Sequence, residues 1–212
     1  MFGRDITEIL LTLPGIIIGL AFHEFAHAAM SDRLGDPTPR NMGRLTLSPL
    51  PHIDPIGLLL IVLAGFGWAR PVQVNPRYYK NPRRDEILVS AAGPIMNLLI
   101  AVLFGIVLKA FLTFGVLESL NNSMGRNLYL IMYYTIWINV ILMIFNLLPL
   151  PPLDGSHILA NILPYRYLGI IYKLEQYSNI ILILLIVTKI TRYIVGIPAG
   201  IVMTGLKLLI GF

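Results

Sequence analysis

The sequence predicts an all-α polytopic membrane protein, and three observations carry that reading. Of its 212 residues, 56% are hydrophobic and only 13% charged, about half the charged fraction of a soluble domain. Mean hydropathy is +0.76. Uncharged runs recur at lengths close to the roughly 20 residues that a helix needs to cross a bilayer. The net charge of +5 would, in a soluble chain, point to nucleic acid. Here Lys and Arg gather between the apolar runs, where cytoplasmic loops and anionic head groups account for them. No nucleic-acid partner is expected.

Residues 1–212 read as a single membrane-embedded domain. A first span is predicted over 7–31, bent at Pro14-Gly15. A signal peptide is the competing reading of this end, with Arg4, an apolar run and the small-x-small Ala26-His27-Ala28. Asp5 and Glu8 beside Arg4 count against it. Residues 32–86 have another character. Arg33, Arg40 and Arg44 precede an apolar piece at 56–67, and Arg70, Arg77, Lys80, Arg83 and Arg84 follow it. Cations on both sides place both flanks in the cytoplasm. The piece is also shorter than a span requires, so a re-entrant or interfacial segment is expected. Around it, 43–47 and 70–74 alternate with period two, predicting short strands of a small membrane-associated β-region. Pro71 confines the second to an edge.

A second span is expected over 87–117, kinked at Gly93-Pro94. A third runs over 127–153 and ends in Pro149-Leu150-Pro151-Pro152, which cannot continue a regular helix. A short helix then follows to residue 164. C-terminal helices occupy 175–210, where Lys189 and Arg192 separate two short apolar runs. A helical hairpin and one long kinked helix both fit. By parity the first span enters from outside, so its end and the end of the third face the cytoplasm.

Chemistry concentrates in His23-Glu24-Phe25-Ala26-His27. Histidines four apart share one helix face and can reach one metal ion, and Glu24 between them can take a proton from water. Ionisable groups at membrane depth are costly and usually functional. The chain has no Cys, so a metal must be held by His, Asp or Glu. Catalytic zinc takes three protein ligands, and Asp154 is the best third. It is the one acid between Glu118 and Glu175, follows the proline break, and precedes Gly155. Two neutral imidazoles and one carboxylate leave zinc a net positive charge, which lowers the pKa of a bound water to about 7. His157, three residues on, is a rival ligand; His52 reads as a loop residue.

These motifs in this order, with Ala92-Gly93-Pro94-x-x-Asn97 and Asn146-x-x-Pro149-x-Pro151-x-Leu153-Asp154-Gly155, resemble the site-2 protease family of intramembrane zinc metalloproteases. The resemblance spans residues 15 to 160. It implies three core spans and one zinc ion per chain bound by His23, His27 and Asp154, with Glu24 catalytic. It also implies that Asn146 binds substrate or the developing oxyanion and that Asn97 lines the same core. The loop between the first two spans resembles the family's membrane-inserted β-region, thought to receive an unwound substrate as an added strand. The expected activity is cleavage within or near a transmembrane segment of a protein substrate. The expected location is the cell membrane, multi-pass, with the active site towards the cytoplasm. With no room for a PDZ or CBS domain, the chain looks like a minimal-core member. A membrane metal transporter using the same ligands is the alternative function, and an inactive scaffold a third.

Overall fold

The chain opens on a 28-residue helix, α1 (Ile6–Arg33), that runs unbroken through Pro14 and ends with Arg33 in its last turn, where a cation complements the helix dipole. The computed structural model describes residues 6–64 and 67–212. A turn of helix, α2 (Thr38–Asn41), and a short apolar helix, α3 (Pro55–Ala64), follow. The long α4 (Pro82–Thr113) starts on Pro82, a residue whose fixed φ suits the first helical position. After α5 (Val116–Ser119) comes α6 (Asn122–Asn146), whose N-cap Asn121 side chain accepts the Met124 N–H at 2.8 Å. The chain then passes through α7 (Asp154–Ile162), α8 (Leu168–Gln176), α9 (Ser178–Val187), α10 (Thr191–Ile194) and α11 (Gly196–Ile210).

Helices α1, α4 and α6 pack mutually, and α11 lies against α4 and α6. Their shared core holds Ala101 and Leu108 of α4, Met132, Ile136 and Val140 of α6, and Ala199, Met203 and Leu206 of α11. Small residues set the closest approach. A Cβ on Gly15 would lie 2.7 Å from the Thr135 Cα, and one on Gly19 would lie 2.8 Å from Leu142 Cδ1. A glycine pair one turn apart lets apolar helices pack backbone to backbone.

Among the described residues, four helices are long and apolar enough to cross a membrane: Ile6–Arg33, Pro82–Thr113, Asn122–Asn146 and Thr191–Ile210. The third stops seven residues short of the predicted limit of 153 because the residue before a proline is driven out of helical geometry, and prolines stand at 149, 151 and 152. The tail is not one continuous helix, since the chain breaks at Lys189 with φ 58°.

The predicted strands do not form. Among the described residues the one bridge in this region is an isolated antiparallel pair, Ile53 with Ala69. Gly43 takes a left-handed φ of 67°, which ends any extended run there, and the Thr46 carbonyl accepts from His52 Nε2 at 2.8 Å. Residues 70–74 carry no strand, and the backbone from 70 to 75 bonds to loop and side-chain groups. Arg70 N–H bonds to the His52 carbonyl, Val72 N–H to Glu24, and Asn75 N–H to Asp36. The segment expected to be re-entrant contains α3, too short at ten residues to span; its positions 65 and 66 lie outside the described residues, as do Arg4 and Asp5. The bridge and the Arg70–His52 bond tie the two ends of that segment together.

Candidate active site

His23 and His27 are buried on one face of α1 with ring centroids 4.6 Å apart, edge to face. Their Nδ1 atoms have distinct partners. His23 Nδ1 lies 2.7 Å from Asn97 Oδ1, and His27 Nδ1 lies 2.7 Å from the Val89 carbonyl. The Asn97 amide orientation follows from its surroundings, because Nδ2 donates to the Gly19 carbonyl at 3.1 Å and to Asn139 Oδ1 at 2.9 Å. Both histidine partners are therefore acceptors, and each Nδ1 is assigned as the donor. That leaves a lone pair on each Nε2, the tautomer a metal ligand needs.

The two Nε2 atoms face one another at 3.0 Å. Asp154 completes the triangle, with Oδ2 3.1 Å from His23 Nε2 and Oδ1 3.4 Å from His27 Nε2. Although Oδ2 stands that close to a nitrogen, it is buried with no hydrogen-bond donor. With each Nδ1 proton directed away from the site, the three ligand atoms converge on one point as lone-pair donors. A divalent cation is the chemistry that satisfies such a set, and two imidazoles with one carboxylate match zinc. Asp154 reaches this point because α7 starts hard against the end of α6. A Cβ on Gly155 would come within 2.3 Å of the Leu147 carbonyl and 2.4 Å of the Leu148 carbonyl.

Helix α4 backs the site with Val89, Gly93 and Asn97, spaced four apart on one face. Val89 and Asn97 orient the two imidazoles, and Gly93 makes room for them. A Cβ there would lie 2.5 Å from His23 Cε1 and 2.5 Å from His27 Nε2. Gly93→Ala is expected to displace both rings and lower zinc affinity about 10- to 100-fold, the range for losing a ligand-orienting contact. Titration against a competing chelator checks this, with helical content unchanged. Wild-type affinity in the variant would show that the rings do not need this gap.

Glu24 is buried, and its Oε2 accepts the Val72 N–H at 2.8 Å. One carboxylate oxygen is thus held by the extended segment while the other remains for chemistry.

The structure brings His23, His27 and Asp154 together as the one group of potential metal ligands among the described residues. His157 is exposed and outside it; His52 is buried in the loop with Nε2 on Thr46. Asn97, which the resemblance places in the lining of the same core, lies beside His23. Asn97 is 0% exposed and its amide is committed to His23, Gly19 and Asn139, so it positions His23. Asn146 bonds to the Leu142 carbonyl of its own helix. Sequence reasoning missed Asn139, which relays the Asn97 contact to the Thr135 carbonyl at 2.9 Å. The available signal was an amide in mid-span, one heptad before Asn146. It missed Val89 and Val72 too, since both act through backbone atoms.

The model of Peptidase family M50 matches residues 11–128 and 113–188. The chain is 41% identical over 181 residues to "Putative zinc metalloprotease YwhC" of Bacillus subtilis, covering 84% of this chain and 81% of that protein. It is 31% identical over 186 residues to "Putative zinc metalloprotease Rip2" of Mycolicibacterium smegmatis, covering 84% of this chain and 67% of the relative. Against Rip2 of Mycobacterium tuberculosis it is 30% identical over 151 residues, 68% of this chain and 54% of the other. No solved structure gives a significant match. The four apolar helices, the acceptor triangle and these matches together establish that the chain belongs to peptidase family M50, the site-2 proteases, and is a multi-pass membrane zinc metalloprotease.

Proposed function

We propose that the protein is an intramembrane endopeptidase that cuts a transmembrane protein substrate within or near its membrane segment. His23, His27 and Asp154 hold the zinc, and Glu24 is the general base. The observation that carries this reading is the convergence of three lone-pair donors, two on the span-length helix α1 and the third at the start of α7, which packs on the span-length α4. In this reading the scissile bond reaches the site from the bilayer.

Bound zinc supplies a Lewis acid for the scissile carbonyl and lowers the pKa of water to about 7. The chain's own residues do the remainder. Asn97 and Val89 keep both Nε2 lone pairs aimed at one point. Glu24 accepts a proton from the attacking water at its free oxygen and returns it to the leaving amine. Val72, by holding Oε2, fixes which oxygen that is. The cationic loop between α1 and α4 supports a cytoplasmic position for the site in the cell membrane, under the positive-inside bias. Residues 53–70, whose ends meet, fit a segment that dips into the bilayer and returns.

The purified chain in lipid vesicles is expected to cut a co-reconstituted single-span protein within or beside its apolar segment. Chelation abolishes cleavage and added zinc restores it. Cleavage confined to water-exposed loops, or indifferent to chelation, contradicts the reading.

A further inference from the structure

Beside the catalytic carboxylate lies a cationic cavity that the chemistry above does not use. It measures about 150 Å³ and is lined by Met42, Arg44, Pro51, Arg70, Pro71 and Gln73. Pro71 and Gln73 are the neighbours of Val72, whose N–H holds Glu24, so the cavity begins one residue from the general base.

Arg44 is the unusual member. It is only 5% exposed, yet among the described residues it makes no ion pair, and its Nε is buried with no acceptor. Its two terminal nitrogens donate to the Pro51 and Arg70 carbonyls, which are neutral. Burial works against its charge, the Glu24 carboxylate favours it and the Arg70 charge opposes it again, so its pKa lies below the ordinary arginine value. A buried guanidinium with no carboxylate in direct contact is expensive. Arg70 brings a second cation to the same cavity and likewise forms no ion pair among the described residues. Two arginines sharing a cavity are reconciled by an anion between them, and planar guanidinium groups suit a carboxylate. Gln73 adds a neutral donor at the rim.

Building on the peptidase reading, we propose that this cavity is a specificity pocket for an acidic side chain of the substrate, close to the scissile bond. An extended chain advances about 3.3 Å per residue, so a pocket one residue from Val72 selects Asp or Glu within about three residues of the cut.

The test uses the full chain in phosphatidylcholine vesicles, with single-span substrates carrying Glu or Gln in turn at each position within three residues of the cut. At one position Glu is favoured over Gln about tenfold in kcat/KM. Arg70 is exposed, so its substitution spares the buried clamp. Arg70→Ala brings the Glu/Gln ratio to about one, and Arg70→Glu shifts preference to a Lys-bearing substrate. A merely structural arginine would change all substrates alike. Affinities of the same substrates for the Glu24→Gln protein give the comparison without turnover, so failure of the catalytic reading leaves this test standing. Equal handling of Glu and Gln at every position, in cleavage and in binding, overturns the proposal. So does an effect of Arg70 seen only when anionic lipid is added, which would assign the pocket to a head group.

Discussion

Glu24→Gln is expected to lose about 10²- to 10⁴-fold in cleavage rate, the range for removing a general base, while binding zinc as the wild type does. The two halves of this result come from separate atoms. Glu24 is not one of the three converging ligands, so metal affinity is untouched. Its Oε2 accepts the Val72 N–H at 2.8 Å, and the amide oxygen of glutamine can accept the same bond, without the carboxylate's charge, so the segment at 70–74 keeps its anchor. What disappears is the basic oxygen that takes the proton. Cleavage assays and metal analysis on one preparation decide it. A variant cutting at a wild-type rate would show that Glu24 serves only to anchor Val72.

Asp154→Asn is expected to weaken zinc binding by more than about 100-fold. Losing a contact that merely orients a ligand costs about 10- to 100-fold, and here a charged ligand is lost outright. Titration against a competing chelator reads the loss, and added zinc should raise the melting temperature of the wild type far more than that of the variant. A variant that binds zinc as tightly as the wild type would mean that Asp154 is not a ligand.

The residues that converge as candidate metal ligands were legible because helix geometry and charge scarcity act locally. Spacing alone places His23 and His27 on one face, and an acid after a proline cluster in an apolar chain has few reasons to exist. The Gly93-Pro94 motif was visible as a kink, yet α4 runs through it unbroken; its glycine is there for the imidazoles, which only the packing of α1 on α4 reveals. Asn97 shows a different limit. An amide can donate or accept, and its partner on His23 became readable only once Gly19 and Asn139 had claimed its nitrogen. The strand forecast failed for a local reason. Period-two alternation describes 43–47 and 70–74, but Gly43 turns the first, and the second spends its N–H groups on His52 and Glu24. A backbone donor such as Val72 leaves no mark in a sequence at all.

X-ray absorption at the zinc edge of the Glu24→Gln protein, loaded with one equivalent of metal, tests the centre most directly. The spectrum should show a four-coordinate shell of nitrogen and oxygen near 2.0–2.1 Å with scattering from two imidazoles, and a different shell in Asp154→Asn. An oxygen-only shell, or one unchanged when Asp154 is replaced, would rule out His23, His27 and Asp154 as the ligand set.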